Sequence, residues 1–216
     1  MLLVRAPATA VVGLSLALIL LVVTPSPSQQ ITGSLSGIVA DPSGAITRIS
    51  VGPGGAQANG PSITPSISAD GRCVAFASAA TNLLAGTPDT NGVLDIYVAC
   101  DGVVSCKASV SSSGQQADQM SFLPQLNADG TIVAFKSNAT NLVPGDLNQA
   151  ADVFAHNCLT GETQRVSVGD RGQEGNDIAI PPTISGDGRF IAFGSFASNL
   201  LQGQSTGGFS QVYRSE

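Results

Sequence analysis

Three stretches decide the fold: Pro65-Ser-Ile-Ser-Ala-Asp70-Gly71-Arg-Cys-Val-Ala-Phe76, Pro124-Gln-Leu-Asn-Ala-Asp129-Gly130-Thr-Ile-Val-Ala-Phe135 and Pro182-Thr-Ile-Ser-Gly-Asp187-Gly188-Arg-Phe-Ile-Ala-Phe193. The three Asp residues stand 59 and 58 positions apart. Near-copies at a fixed period mark a repeat architecture. An Asp-Gly pair between two apolar runs is a strong hairpin signal. It predicts a strand over Ile63–Ser68 joined to one over Arg72–Ser78. In Cys73-Val74-Ala75-Phe76 large and small residues alternate, as on a strand with one face packed closely against a neighbouring sheet.

Further pieces recur around this hairpin. Ala80-Thr-Asn-Leu83 returns as Ala139-Thr-Asn-Leu142 and Ala197-Ser-Asn-Leu200. Asp95-Ile-Tyr-Val98 returns as Asp152-Val-Phe-Ala155 and Gln211-Val-Tyr-Arg214. Arg48-Ile-Ser-Val51, Lys107-Ala-Ser-Val110 and Arg165-Val-Ser-Val168 form the last set. Strands around Asp95–Ala99 and Cys106–Ser111 therefore complete a four-stranded unit. Such a sheet buries too little alone, so copies must stack, and radial stacking makes an all-β propeller.

These residues resemble the TolB-like, WD40-like (PD40) propeller repeats, whose signature is Pro-x-[Trp/Ile]-Ser-x-Asp-Gly-[Arg/Lys]-x-[Ile/Val]-Ala-Phe. The resemblance covers residues 46–216, with repeat cores at 62–120, 121–179 and 180–216. It is specific for the repeat family and weak for any one activity, because such blades occur in periplasmic binding proteins and beside peptidase domains. Only about three blades are present, whereas rings hold about four to eight. The chain opens on a fourth-strand sequence, Ile46–Val51, and the last unit reaches only its third strand at Arg214. A fragment of a longer propeller, an open array, or a homo-oligomer completing the ring are the readings this leaves, the fragment first.

Residues 1–28 read as a signal peptide. Arg5 is the only charge before Asp41, Ala8–Val23 is an apolar run interrupted only by Thr9 and Ser15, and Thr24-Pro-Ser-Pro-Ser28 forms a small-residue exit. Sixteen residues are short for a membrane span of about 20, so membrane contact is expected only through an uncleaved signal anchor. Residues 29–45 read as a spacer or the remnant of a preceding blade. A secreted or periplasmic location follows.

Composition excludes several classes. The 216 residues carry 15 Asp and Glu against 9 Lys and Arg, a net charge of -6, with one His and no Trp. No nucleic-acid partner is expected without clustered basic residues. A coiled coil and a His-based metal centre are excluded as well.

The strongest candidate site is a doublet, Asp89, Asn91 and Asp95 in the first unit and Asp146, Asn148 and Asp152 in the second. Oxygen ligands at spacing 0, +2, +6 suit a hard cation, so Ca²⁺ is the cofactor to test. The competing reading is a turn sequence whose Asx side chains bond their own backbone. Asp70, Asp129 and Asp187 recur once per unit and read as turn residues, not as a glycosidase pair. His156 is the one imidazole and is expected on the surface, and Asn138-Ala-Thr140 fits a glycosylation sequon. Cys100 and Cys106 bracket a hairpin turn and are expected to form a disulfide, with Cys73 and Cys158 unpaired or meeting a partner chain.

The functional expectation is an exported, non-catalytic binding or scaffold module. The loops around Asn82–Gly92, Asn141–Asn148 and Asn199–Gly208 are its contact surface. The resemblance implies a protein or glycan ligand, in the envelope or extracellular space. The alternatives are a structural repeat segment of a longer surface protein and a propeller-type hydrolase or lyase.

Overall fold

The computed structural model describes residues 46–86 and 88–216. The signal-peptide reading of 1–28 and the spacer reading of 29–45 lie outside the described residues. Among the described residues eleven strands form three antiparallel sheets, and within a sheet each strand pairs with the next in sequence. The first sheet holds β1 (Ser62–Ile67), β2 (Cys73–Ser78), β3 (Asp95–Cys100) and β4 (Val103–Lys107). The second holds β5 (Ser121–Leu126), β6 (Ile132–Ser137), β7 (Asp152–Asn157) and β8 (Thr163–Arg165). The third holds only β9 (Ala179–Ile184), β10 (Ile191–Ser195) and β11 (Gln211–Ser215). These are all-β blades in the order expected from the repeat.

Each Asp-Gly hairpin follows one plan. Gly71, Gly130 and Gly188 take φ of 76°, 76° and 75°, the left-handed region that glycine occupies without penalty. The Asp does not share that conformation; it caps the turn instead. Asp70 Oδ1 accepts from Arg72 N at 3.0 Å and Ser68 Oγ at 2.7 Å, and Asp187 Oδ1 accepts from Arg189 N at 3.1 Å. The turns also join blade to blade: Ala69 N–H donates to Ala128 O, and Ala128 N–H to Gly186 O, both at 2.9 Å.

This close approach supplies a paired test. A Cβ at Gly130 would lie 2.5 Å from Cys73 Cβ, whereas one at Gly71 meets nothing within 4 Å. Gly71→Ala is expected to cost about 1–2 kcal/mol for the left-handed backbone alone. Gly130→Ala should cost clearly more, because the Cys73 side chain is held by a disulfide and cannot swing away. Urea unfolding of the two variants measures the difference. Equal losses would show that the blade-to-blade contact is loose.

Large and small residues interlock between sheets. Phe135 and Phe154, ring centroids 6.0 Å apart, share a buried core with Ala75, Ala77, Ile96 and Val98 of the first sheet. Phe193 and Tyr213, 5.8 Å apart, likewise pack with Ala134, Val153 and Val166 of the second sheet. The small residues of one blade receive the aromatic pair of the next. Each fully buried Phe contributes about 1.5–3 kcal/mol.

Several expectations change here. The fourth strand lies earlier than Cys106–Ser111 and ends at Lys107. Beyond it, Ile96 N–H donates to Ser109 Oγ at 3.0 Å, so a side chain takes the place of a ladder acceptor and the chain leaves the sheet. Val153 N–H and Ser167 Oγ repeat the arrangement. Residues Ile46–Val51, expected as a strand, contribute only the bridge Val51↔Gln57. Ala108 and Val166 are buried between blades, which is what these segments do.

The disulfide expected between Cys100 and Cys106 is not formed. Cys73 pairs with Cys100 and Cys106 with Cys158. The register explains both bonds. Cys73 and Cys100 stand directly opposite on β2 and β3. A shift between Val98 and Ala99 places Cys106 opposite Val98 and Val103 opposite Cys100. Cys106 belongs to the core shared with the second sheet, where Cys158 also packs. Cys73 and Cys158 are therefore neither unpaired nor held for another chain.

Candidate functional site

The two Asx sets come together as the sequence suggests, and each surrounds a built-in cation. In the first blade Lys107 Nζ lies 2.8 Å from Asp95 Oδ2 and 3.2 Å from Asp89 Oδ1. The three side chains are nearly inaccessible, at 7%, 0% and 1% exposure. Asn91 Nδ2 donates to Asp95 Oδ2 at 2.9 Å and to Ala117 O at 2.9 Å, while its Oδ1 accepts from Val93 N. Ser109 Oγ donates to the second oxygen of Asp95. Burial raises the Asp95 carboxyl above the usual range, and the Lys107 ammonium opposes it.

The second blade repeats this socket with a guanidinium. Arg165 Nη1 contacts Glu174 Oε1 at 2.5 Å and lies 3.6 Å from both Asp146 Oδ2 and Asp152 Oδ2. Asn148 Nδ2 donates to Asp152 Oδ2 at 3.3 Å and to Gly175 O at 2.7 Å. Of the residues read as Ca²⁺ ligands, the four Asp thus lie against Lys107 and Arg165, while Asn91 and Asn148 donate hydrogen bonds to Asp95 and Asp152. Both cations were legible: they open the recurring fourth piece, one basic residue per unit. Their pairing was not, because 12 and 13 residues of chain separate Asp95 from Lys107 and Asp152 from Arg165.

Glu174 makes the second socket richer in acid than the first, where Gln116 stands at the corresponding position. Three carboxylates then share one cation. Burial, then the Asp152 charge, pushes the Asp146 carboxyl up to about 7 against the pull of Arg165. Between about pH 4 and 7 the folded chain therefore binds more protons here than the unfolded chain, so this group's contribution falls as pH rises through that window. Asp146→Asn removes that slope. We expect it to unfold at a higher temperature than the parent at pH 8, with the advantage fading towards pH 4. A lower midpoint at pH 8 would show that Asp146 is held as a favourable anion.

The turn acids sit differently. Hydrogen bonds from Arg72 N and the Ser68 hydroxyl hold Asp70 below the usual carboxylate range; the Thr131 hydroxyl and N–H do so at Asp129, and the Ser185 hydroxyl and Arg189 N–H at Asp187. These carboxylates are ionised turn anchors. His156, expected on the surface, is buried at 3% exposure on β7, because that position of the strand faces into the molecule. Burial pulls its pKa down to about 4.

The recurring Asn of the Ala-Thr-Asn-Leu piece is structural too. Asn82, Asn141 and Asn199 donate through Nδ2 to Gln57 O, Gln116 O and Glu174 O at 2.7–2.8 Å. The leucine after each is buried. Beyond these anchors the loops expose large apolar groups: Leu147 at 81%, Leu201 at 40% and Phe209 at 73%.

Two depressions, each of about 200 Å³, lie on the surface. One runs between the second and third sheets, past Ile132, Gln164, Arg165, Arg189 and Glu216. The other lies on the third sheet, formed by Ser198, Leu201, Gln204, Thr206, Gln211 and Val212. Val212 occupies the position of the buried Ile96 and Val153, yet is 84% exposed.

No protein-family model matches the sequence, and no curated protein matches it. Among solved structures the chain is similar to TolB from Acinetobacter baumannii, at 19% identity and a TM-score of 0.41, over 74% of this chain and 30% of that one. It is similar to a TolB described as putative from Agrobacterium tumefaciens, at 14% identity and a TM-score of 0.37, over 71% and 58%. The propeller domain of the Trilobed protease from Pyrococcus furiosus matches at 9% identity and a TM-score of 0.38, over 73% and 43%. The chain thus spans less than two thirds of each of these relatives. The TolB-like blade fold stands on the sheets, their order and the hairpin signature described above.

Proposed function

We propose that this set of TolB-like propeller blades is an exported, non-catalytic binding or scaffold module whose contact surface is the third blade. The observation that carries the reading is the depression on that blade. Leu201 and Val212 give it an apolar floor, while Ser198, Gln204, Thr206 and Gln211 supply hydroxyl and amide groups. An exposed apolar patch with neutral hydrogen-bonding groups suits a polypeptide or a glycan better than an ionic ligand. Lys107 and Arg165 are engaged by the acids of the two sockets. Two disulfides accord with an oxidising compartment and support export.

The test is retention of the purified chain on an immobilised cell-envelope fraction, before and after protease or polysaccharide lyase treatment. Leu201→Asp and Val212→Asp are expected to weaken retention at least tenfold, with sheet content unchanged by circular dichroism. Equal retention of parent and variants would sink the assignment of this surface. Release of new reducing ends from the polysaccharide would favour the hydrolase or lyase reading instead.

A further inference from the structure

Residues that break the repeat converge at one point. Cys106 corresponds to Gln164, Cys158 to Asp101, and His156 to Ala99 and Ser215. The backbone equivalence is close: Cys158 N–H donates to Thr131 O at 2.9 Å, as Asp101 N–H does to Arg72 O at 2.8 Å. No blade needs these side chains to form. Yet one ring nitrogen of His156 and both sulfurs lie within 4.8 Å of one another.

The hydrogen bonds around His156 set its tautomer. Thr163 Oγ1 donates its one proton to Val110 O at 2.5 Å. Towards His156 Nδ1, 2.8 Å away, that hydroxyl can therefore only accept. Nδ1 carries the proton and Nε2 is left with a free lone pair. An acceptor behind the ring that fixes it and directs the other nitrogen to a ligand is the usual arrangement around a metal-bound imidazole.

We propose that Cys106, Cys158 and His156 form a redox-gated site for a thiophilic divalent cation of the Zn²⁺ class. With the disulfide closed the site is shut. An external dithiol donates two electrons and two protons to the Cys106–Cys158 bond and itself closes to a disulfide. The cation then displaces a proton from each thiol and binds two thiolates and Nε2. Three protein ligands leave a fourth tetrahedral position for water or a substrate atom. The half-buried Cys158 offers the way in, since Cys106 is only 9% exposed. The reduced site joins the first and second sheets as the disulfide did, so loading it restores a cross-link between blades.

The experiment titrates the full chain, reduced with a phosphine, with Co²⁺ as a spectroscopic probe and Zn²⁺ as competitor. A thiolate-to-cobalt charge-transfer band with tetrahedral ligand-field bands is expected, saturating at one ion per chain and bleached by Zn²⁺. The oxidised chain should show none. Cys73→Ala/Cys100→Ala should keep the signal, and Cys106→Ser/Cys158→Ser should lose it. His156→Ala should lose the tetrahedral bands. Thr163→Val, which touches no ion, should weaken binding about 10–100-fold by releasing the ring. The proposal is overturned if the oxidised chain binds equally, if His156→Ala binds as tightly as the parent, or if reduction abolishes the sheet signal in circular dichroism.

Discussion

Lys107→Met is expected to lower the unfolding free energy by about 3–5 kcal/mol, the usual result of leaving a buried charge without its partner. Asp95 is wholly buried and Asp89 nearly so, and among the described residues Lys107 is the one cation that touches both. Methionine fills the same volume, which isolates the charge from the packing. The penalty should shrink as pH falls, because burial already raises the Asp95 carboxyl and a protonated Asp95 needs no counter-ion. Adding Asp95→Asn to Lys107→Met should recover much of the loss at neutral pH. Urea unfolding at pH 5 and pH 8 measures both effects. A change below about 1 kcal/mol at pH 8, the size of an exposed pair, would mean that water reaches the socket.

Removing the Cys106–Cys158 disulfide as the double Ser variant is expected to cost about 4 kcal/mol, from the loop-entropy relation at a sequence separation of 52. Cys73→Ser/Cys100→Ser, with a separation of 27, should cost about 3.5 kcal/mol by the same relation. The totals are similar but the consequences should differ. Cys73–Cys100 ties two strands already paired in one blade, whereas Cys106–Cys158 ties two blades. Limited proteolysis of the Cys106/Cys158 variant should therefore cut between the first and second sheets before either sheet unfolds. Simultaneous loss of both sheets would show that the core around Phe135 and Phe154 is cooperative without the bond.

The blade was legible because its signals are local. Asp70-Gly71 and the Ala75–Phe76 alternation each act over a few residues, and three copies averaged out the exceptions. Lys107 and Arg165 were visible as a recurring basic position, but nothing local tied them to acids a dozen residues earlier. His156 looked like a surface residue because its neighbours Asn157 and Glu162 are polar, yet the two-residue period of β7 sends its side chain inward. The loop around Asn199–Gly208 was legible as a contact surface, but its apolar floor appears only when Leu201 meets Val212 from β11.

By itself the sequence determined the all-β repeat, the order of strands within each blade and the hairpin positions. Turn preference and side-chain alternation are properties of adjacent residues, so they can be read without knowing what lies opposite. The tertiary structure alone decided the cysteine pairing, the cation in each socket and the fate of the fourth strand. One register shift between Val98 and Ala99 turns Cys106 away from its neighbour in sequence and towards the next blade. Burial between sheets then selects the partners, because a charge or a thiol removed from water is governed by what packs against it.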